Sequence, residues 1–461
     1  MATVTTSTSG ATSRNLIVDY YDWLPRVVAA IVDDPAPVLE ADRFSPGFEL
    51  PDLDDEVRRF FEVATAEWRS LADYGTHRLL LLDLTRNPGT NTTKTLASLL
   101  IVARAVQHLR RTGEPVLIFS PTSANKGIAL RDAVERALAI GLARPDQLRI
   151  AVLAPAACRD KLRSSELASD PDLRRLNPVL VYGGENPEGV KALARRFVRE
   201  HAAGALRGGT RIWYSLELQN YLVADSARAF FEHEVAPTGV AARRRIHAHA
   251  VSSAYGLLGY NEGRRALEAD GLASAEDRPG FLLVQHLGAP DMVLSLLHGS
   301  FDRAAVPAYT RDPATGLYEQ CADVRFPRAT FAVDEVLDPT FYTHEPPTSA
   351  AMNALIGRFG GDGIVVSLHD CLARYPRLQR WFEGTDRPLP ADFRTIREWS
   401  LVMALTGVMN AADRGLLPGD RDVVVHGSGF YTTGDYRPLE RSATTDVNTV
   451  EDIASALRAG S

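Results

Sequence analysis

Four short segments of this chain hold the residues whose types and spacing can do chemistry. In residues 85–100, TRNPGTNTTKTLASLL, Lys94 stands where a turn-forming run gives way to an apolar helix. There its amine would lie near orphan N–H groups and the positive end of the helix dipole, and these together with partial burial favour the neutral form. A lysine poised in this way can form an imine with an aldehyde. In residues 119–133, FSPTSANKGIALRDA, Thr122, Ser123 and Asn125 put two hydroxyls and an amide at a helix N-terminus, and Gly127 allows a close backbone approach. Such an end suits a carboxylate. In residues 249–263, HAVSSAYGLLGYNEG, the successive N–H groups of Ser252, Ser253, Ala254, Tyr255 and Gly256 can form a nest for a phosphate. In residues 423–435, VVVHGSGFYTTGD, a β-branched strand ends at Gly427, Ser428 and Gly429, where the Ser428 hydroxyl or the His426 imidazole can be held against a heteroaromatic nitrogen. Taken singly, each segment is also ordinary turn or cap chemistry.

The elements around these segments are those that can bring them together. From Arg78 onward, short apolar runs alternate with helical patterns: RLLLLDL, PVLIFS, LRIAVLAP and NPVLVYGG as strands, with TLASLLIVARAVQHLRR, GIALRDAVERALAIG and PEGVKALARRFVREHAAG as helices. Strands spaced by helices of this length imply βαβ units and a parallel sheet covered on both faces. The rhythm resumes after Ile212 with LVADSARAFFEHEVA, HAHAVSS, NEGRRALEADG and GFLLVQHL, and ends with GIVVSLHD, EWSLVMALTGVMNAADRG and RDVVVHGSG. The expected fold class is therefore α/β, with two domains of twisted, mostly parallel sheets flanked by helices. Residues 1–14 are expected to form a disordered tail rich in Ser, Thr and Ala. Residues 15–80 are expected to be a helical segment, with amphipathic patterns at Trp23 to Ile31 and Asp54 to Leu71. Residues 81–215 are expected as a small domain and 216–461 as a large one, interrupted by an antiparallel excursion over about 300–345.

Composition excludes several classes. The chain has 461 residues, 45% hydrophobic and 24% charged, which is ordinary globular usage and long enough for two domains. With 58 acidic and 51 basic residues mixed along its length, for a net charge of -7, no nucleic-acid surface is expected. No run of 18 apolar residues and no signal-peptide core occur, so no membrane contact is expected. Cys158, Cys321 and Cys371 are too few and too scattered for a disulfide framework or a CxxC metal site, and a cytoplasmic location is expected. His247 and His249 are spaced at i and i+2 but lack a third ligand nearby, and read as strand residues; no metal is expected. Neither GxGxxG after an early strand nor GxxxxGK[ST] nor GxSxG is present.

In their order along the chain, the four segments resemble the fold type II family of pyridoxal-phosphate enzymes, which includes threonine synthase and cysteine synthase. Asn87, Pro88, Gly89 and Thr90 before Lys94 are similar to the family's turn before its Schiff-base lysine, although Thr93 and Thr95 flank the lysine where the family has other residues. PTSANKGIAL looks like the family's asparagine loop, and IWYSLELQNYLVADSARAFFEHEV is similar to a threonine-synthase stretch, with Gln219 in the corresponding place. The resemblance spans about 80–300 and the tail from about 345.

It implies pyridoxal 5'-phosphate in a cleft between the two domains, carried as a Schiff base on Lys94. Asn125 would bond the ring hydroxyl, and Ser252 to Gly256 the phosphate. Ser428, or else His426, would face the ring nitrogen, Ser428 being favoured. Thr90, Asn91, Thr122 and Ser123 would bind the substrate. The implied activity is elimination or replacement at Cβ or Cγ of an amino acid, by a homodimeric lyase or transferase. The alternative is a catalytically altered member that binds the cofactor or an amino acid in a regulatory role.

Overall fold

The computed structural model describes residues 11–40, 43–186, 189–201, 209–237, 243–341 and 343–459. Two mostly parallel sheets organise them. The larger sheet runs in the order Thr12–Asn15, Thr65–Ser70, Leu79–Asp83, Asp422–Gly427, Arg245–Ala250, Gly280–His286, Gly361–Val366. Its first two strands are antiparallel additions, and from Leu79–Asp83 onward all neighbours are parallel. The smaller sheet is wholly parallel, in the order Thr445–Val447, Val179–Tyr182, Leu148–Pro155, Val116–Pro121, Arg211–Tyr214.

The apolar runs explain this arrangement. Leu79–Asp83, Val116–Pro121, Leu148–Pro155 and Asp422–Gly427 are buried at every residue, as strands covered on both faces must be. The helix Lys94–Thr112 is buried along almost its whole length because it packs against both Asn125–Ile140 and Leu218–Val235. It stops at Gly113, whose φ of 73° allows the left-handed cap, with Arg110 and Arg111 in the last turn to meet the negative end of the dipole.

Three expectations change. Thr12 to Arg14, assigned to a disordered tail, belong to the strand Thr12–Asn15, which pairs with Thr65–Trp68; residues 1–10 of that tail lie outside the described residues. The helix expected over Asp54 to Leu71 is a short one, Asp55–Phe61, followed by the strand Thr65–Ser70, where Ala66 and Trp68 bury their side chains at a spacing of two. The partition at residue 80/81 does not follow the sheets. Leu79–Asp83 lies between Thr65–Ser70 and Asp422–Gly427 in the larger sheet, and Thr445–Val447 with the helix Val450–Ala459 returns to the smaller one. The excursion contains a three-stranded antiparallel sheet of two-residue strands, Thr310–Arg311, Tyr318–Glu319 and Ala329–Thr330. Among the described residues no helix is long and apolar enough to cross a membrane.

Candidate functional site

Lys94 is the first residue of its helix, and the turn before it is stitched to the end of the Asp422–Gly427 strand. Thr93 N–H donates to the Ser428 carbonyl at 2.8 Å, Phe430 N–H to the Asn91 carbonyl at 3.1 Å, and Thr92 bridges to Gly429. These bonds place Lys94 beside Ser428, 334 residues away in sequence, at the carboxyl end of the larger sheet. There the two sheets enclose a cavity of about 520 Å³ whose wall includes Lys94, Thr122, Ser123, Asn125 and Ser428. The whole turn Ser252 to Gly256 lies in the same wall. Burial pushes the Lys94 pKa down; Asp225 opposes this and Arg228 adds to it.

Each loop is built for close approach. Asn125 starts the helix Asn125–Ile140 after Ala124, which sits at φ 83°. Thr122 Oγ1 accepts from Gly127 N–H at 2.8 Å, and a Cβ on Gly127 would meet the Thr122 methyl at 2.7 Å, so only glycine fits. The Asn125 amide is held at both ends: it donates to Glu398 Oε2 at 2.7 Å and accepts from the Tyr431 hydroxyl at 2.9 Å. One of its N–H groups remains uncommitted to these partners. Ala254 is left-handed at φ 49° and opens the helix Tyr255–Ala269, and the turn that precedes this helix start lines the cavity.

Beneath that turn lies Arg228, fully buried. It donates to Asp225 Oδ1 at 2.6 Å, to Thr93 Oγ1 at 2.6 Å and to His426 Nδ1 at 3.0 Å. Arginine only donates, so His426 Nδ1 accepts, and its Nε2–H must point to His247 Nδ1 at 2.8 Å. Both nitrogens of His426 are thus committed behind the site. A Cβ on Gly256 would sit 2.6 Å from the Arg228 guanidinium. Gly256→Ala should cost about 1–3 kcal/mol by overpacking this point, read as a fall in the denaturation midpoint. Gly263→Ser, also in a helix but away from the cavity wall, separates that loss from any change in the cavity itself.

The sequence-proposed residues fall into two groups. Lys94, Thr122, Ser123, Asn125, Ser252, Ser253, Ala254, Tyr255, Gly256 and Ser428 share the cavity wall. Thr90, Asn91 and His426 do not. Thr90 is buried with its hydroxyl 2.6 Å from that of Thr95, and Asn91 Oδ1 accepts from Arg163 at 3.0 Å. Both shape the turn rather than face the cavity, and His426 is sealed beneath Arg228, which leaves Ser428 in the wall.

Other wall residues carry no local signal in the sequence. Glu398, 273 residues from Asn125, also accepts from Lys161 at 3.2 Å; Lys161 is held protonated against burial by Asp338, at 2.6 Å, and by Glu398. Asp338 and the wall residues Thr340 and Phe341 come from the end of the excursion. His249, read as a strand residue, lies in the wall with Nδ1 2.6 Å from the Ala250 carbonyl. Lys191 and Arg195 reach the wall from the helix Gly189–His201.

Among solved structures, the chain is similar to the PLP-bound threonine synthase of Brucella melitensis, with a TM-score of 0.54 and 13% identity over 95% of this chain and 89% of that one. It is also similar to the threonine synthase of yeast, with a TM-score of 0.52 and 11% identity over 89% of this chain and 84% of that one. These likenesses show that the chain has the α/β fold of fold type II pyridoxal-phosphate enzymes. No curated protein matches the sequence. Residues 12–460 match the model of DUF6002, a family of unknown function, and the chain belongs to that family.

Proposed function

We propose that this protein is a pyridoxal-phosphate enzyme that eliminates or replaces a group at Cβ or Cγ of an amino acid. The observation that carries this reading is the convergence on one cavity of Lys94, the Asn125 loop, the Ser252 to Gly256 turn and Ser428. The threonine synthases that share the fold, that of Brucella melitensis in its PLP-bound form, support it.

The residues suit the cofactor. A run of backbone N–H groups at a helix start, above a buried arginine, is a cradle for a phosphate. Lys94 offers an amine that burial biases toward the neutral form able to hold an aldehyde carbon. The remaining N–H of Asn125 would face the ring hydroxyl, and the Ser428 hydroxyl the ring nitrogen. When bound, pyridoxal phosphate takes up the electron pair left at the substrate α-carbon.

The chain's own residues do the rest. The free Thr122 O–H and the Ser123 hydroxyl would bind the substrate carboxylate at the helix start, and Lys94 Nζ would take the α-proton. Ser428, a neutral hydroxyl, would leave the ring nitrogen largely unprotonated, which favours loss of a group at Cβ or Cγ over transamination. The two sheets are read as two domains that share this cleft. The reading extends to a homodimer in the cytoplasm, and the free thiols of Cys158, Cys321 and Cys371 suit a reducing compartment. Light scattering after size exclusion checks the assembly.

The test is hydrogen exchange in D2O. With pyridoxal phosphate added, a panel of amino acids should include some that lose their α-proton signal, and a subset of these should release a group from Cβ or Cγ. Tight amino-acid binding with no exchange across the panel would point instead to a catalytically altered binding protein.

A further inference from the structure

Only four of the 51 basic residues are lysines, Lys94, Lys126, Lys161 and Lys191; the other 47 are arginines. Arginine supplies a permanent charge, whereas a buried lysine can exchange a proton near neutrality. Three of the four lysines line the cavity, and the fourth, Lys161, bonds the wall residue Glu398. A chain that otherwise uses arginine has kept its amines at one site.

Lys161 is locked as an ammonium by two carboxylates, and Lys94 already has a role. Lys126 is different. It is 6% exposed, and its Nζ donates to the Ser215 carbonyl at 3.0 Å and approaches Ser215 Oγ at 3.5 Å. Its Nζ lies 5.8 Å from the centre of the Tyr221 ring, and Lys94 Nζ lies 5.5 Å from the same centre. One phenol therefore marks both amines. The charged and titratable groups that face Lys126 are Lys94, Tyr221 and Glu217, and Glu217 is itself engaged by Arg104 at 2.7 Å. Burial, and then repulsion from Lys94, push the Lys126 amine down to about 7.

We propose that Lys126 is the second proton-transfer amine of this site, giving a proton to the group that leaves Cβ or Cγ while Lys94 serves Cα. This rests on the reaction proposed above. In the step, the bond from carbon to the leaving group breaks and its electron pair departs with that group. The Nζ–H bond of Lys126 breaks and its proton goes to the same group, which leaves protonated. Lys126, now neutral, regains a proton from water entering the cavity. A hydroxyl leaving group needs that proton, and chloride does not.

Two measurements on the full-length chain test the assignment. With lysine labelled by 13C at Cε, four side-chain resonances are expected, and the one lost in Lys126→Arg belongs to Lys126. In protein stripped of pyridoxal phosphate with hydroxylamine, it should titrate with a midpoint near 7; a midpoint near the ordinary lysine value of about 10.4 would overturn the proposal.

In cofactor-loaded protein, Lys126→Met should slow elimination from L-serine by about 10²–10⁴-fold, yet slow elimination from β-chloro-L-alanine by less than about 10-fold. Equal losses on the two substrates would overturn the donor role. If Lys126→Met does not fold, Lys126→Arg, which keeps a charge but releases no proton at neutral pH, takes its place with the same expectation. A wild-type chain that shows the neutral titration but neither binds the cofactor nor turns over either substrate refutes the reaction itself, and the donor role with it.

Discussion

Lys94→Ala should abolish the visible-edge absorption that pyridoxal phosphate gives with the wild-type chain, and lower turnover by at least about 10³-fold. The size of the effect follows from the geometry. Lys94 is the amine at the helix start, tied by Thr93 to Ser428 and set in the same wall as the turn Ser252 to Gly256. Lys126 sits in the first turn of a different helix, Asn125–Ile140, with its Nζ donating to the Ser215 carbonyl rather than held beside Ser428. Thermal denaturation should hardly change, since removing a lysine whose charge is disfavoured by burial strands no partner. A variant that kept both band and turnover would move the aldehyde to another amine, and the short supply of lysines leaves Lys126 and Lys191 as the ones to examine.

Arg228→Met should lower stability by about 3–5 kcal/mol, measured by chemical denaturation without cofactor. Arg228 is completely buried and Asp225 nearly so, and Arg228 is the residue that neutralises Asp225 by ion pairing at 2.6 Å. Its loss leaves a buried carboxylate alone and takes away the donor that fixes the Thr93 hydroxyl next to Lys94. Adding Asp225→Asn removes the stranded charge and should recover at least about 1 kcal/mol. Cofactor affinity should stay reduced in the double variant, because Thr93 and the underside of the Gly256 turn still lack the guanidinium. A single variant as stable as the wild type would show that the pair contributes nothing, contrary to its burial.

Much of this was legible in the sequence, for identifiable reasons. Buried parallel strands are continuous apolar runs, so RLLLLDL, PVLIFS and RDVVVHGSG could be read directly. The loops at their ends are local strand-to-helix turns, and the Asn125 and Ser252 turns could be read the same way. Thr65–Ser70 carries a helical signal in the sequence because Phe60, Phe61, Trp68 and Leu71 fit a helical spacing, and only pairing with Leu79–Asp83 makes it a strand. His426 and Ser428 stood as alternatives since both lie near a strand end; the fold separates them by giving both imidazole nitrogens of His426 to Arg228 and His247. Thr90 and Asn91 looked like substrate contacts because they neighbour Lys94 in sequence, but the turn folds them against Thr95 and Arg163. Glu398, Asp225 and Arg228 belong to the site by long-range packing alone. The scarcity of lysine, by contrast, was a compositional signal open to view, and it points to the same cavity.

The most direct test is to add pyridoxal phosphate to the purified chain, reduce with borohydride, digest, and locate the modified lysine by mass spectrometry. The account predicts a stable pyridoxyl adduct on Lys94, with Lys126, Lys161 and Lys191 unmodified, and its absence from Lys94→Ala. An adduct on another lysine, or none at all at saturating cofactor, would contradict it.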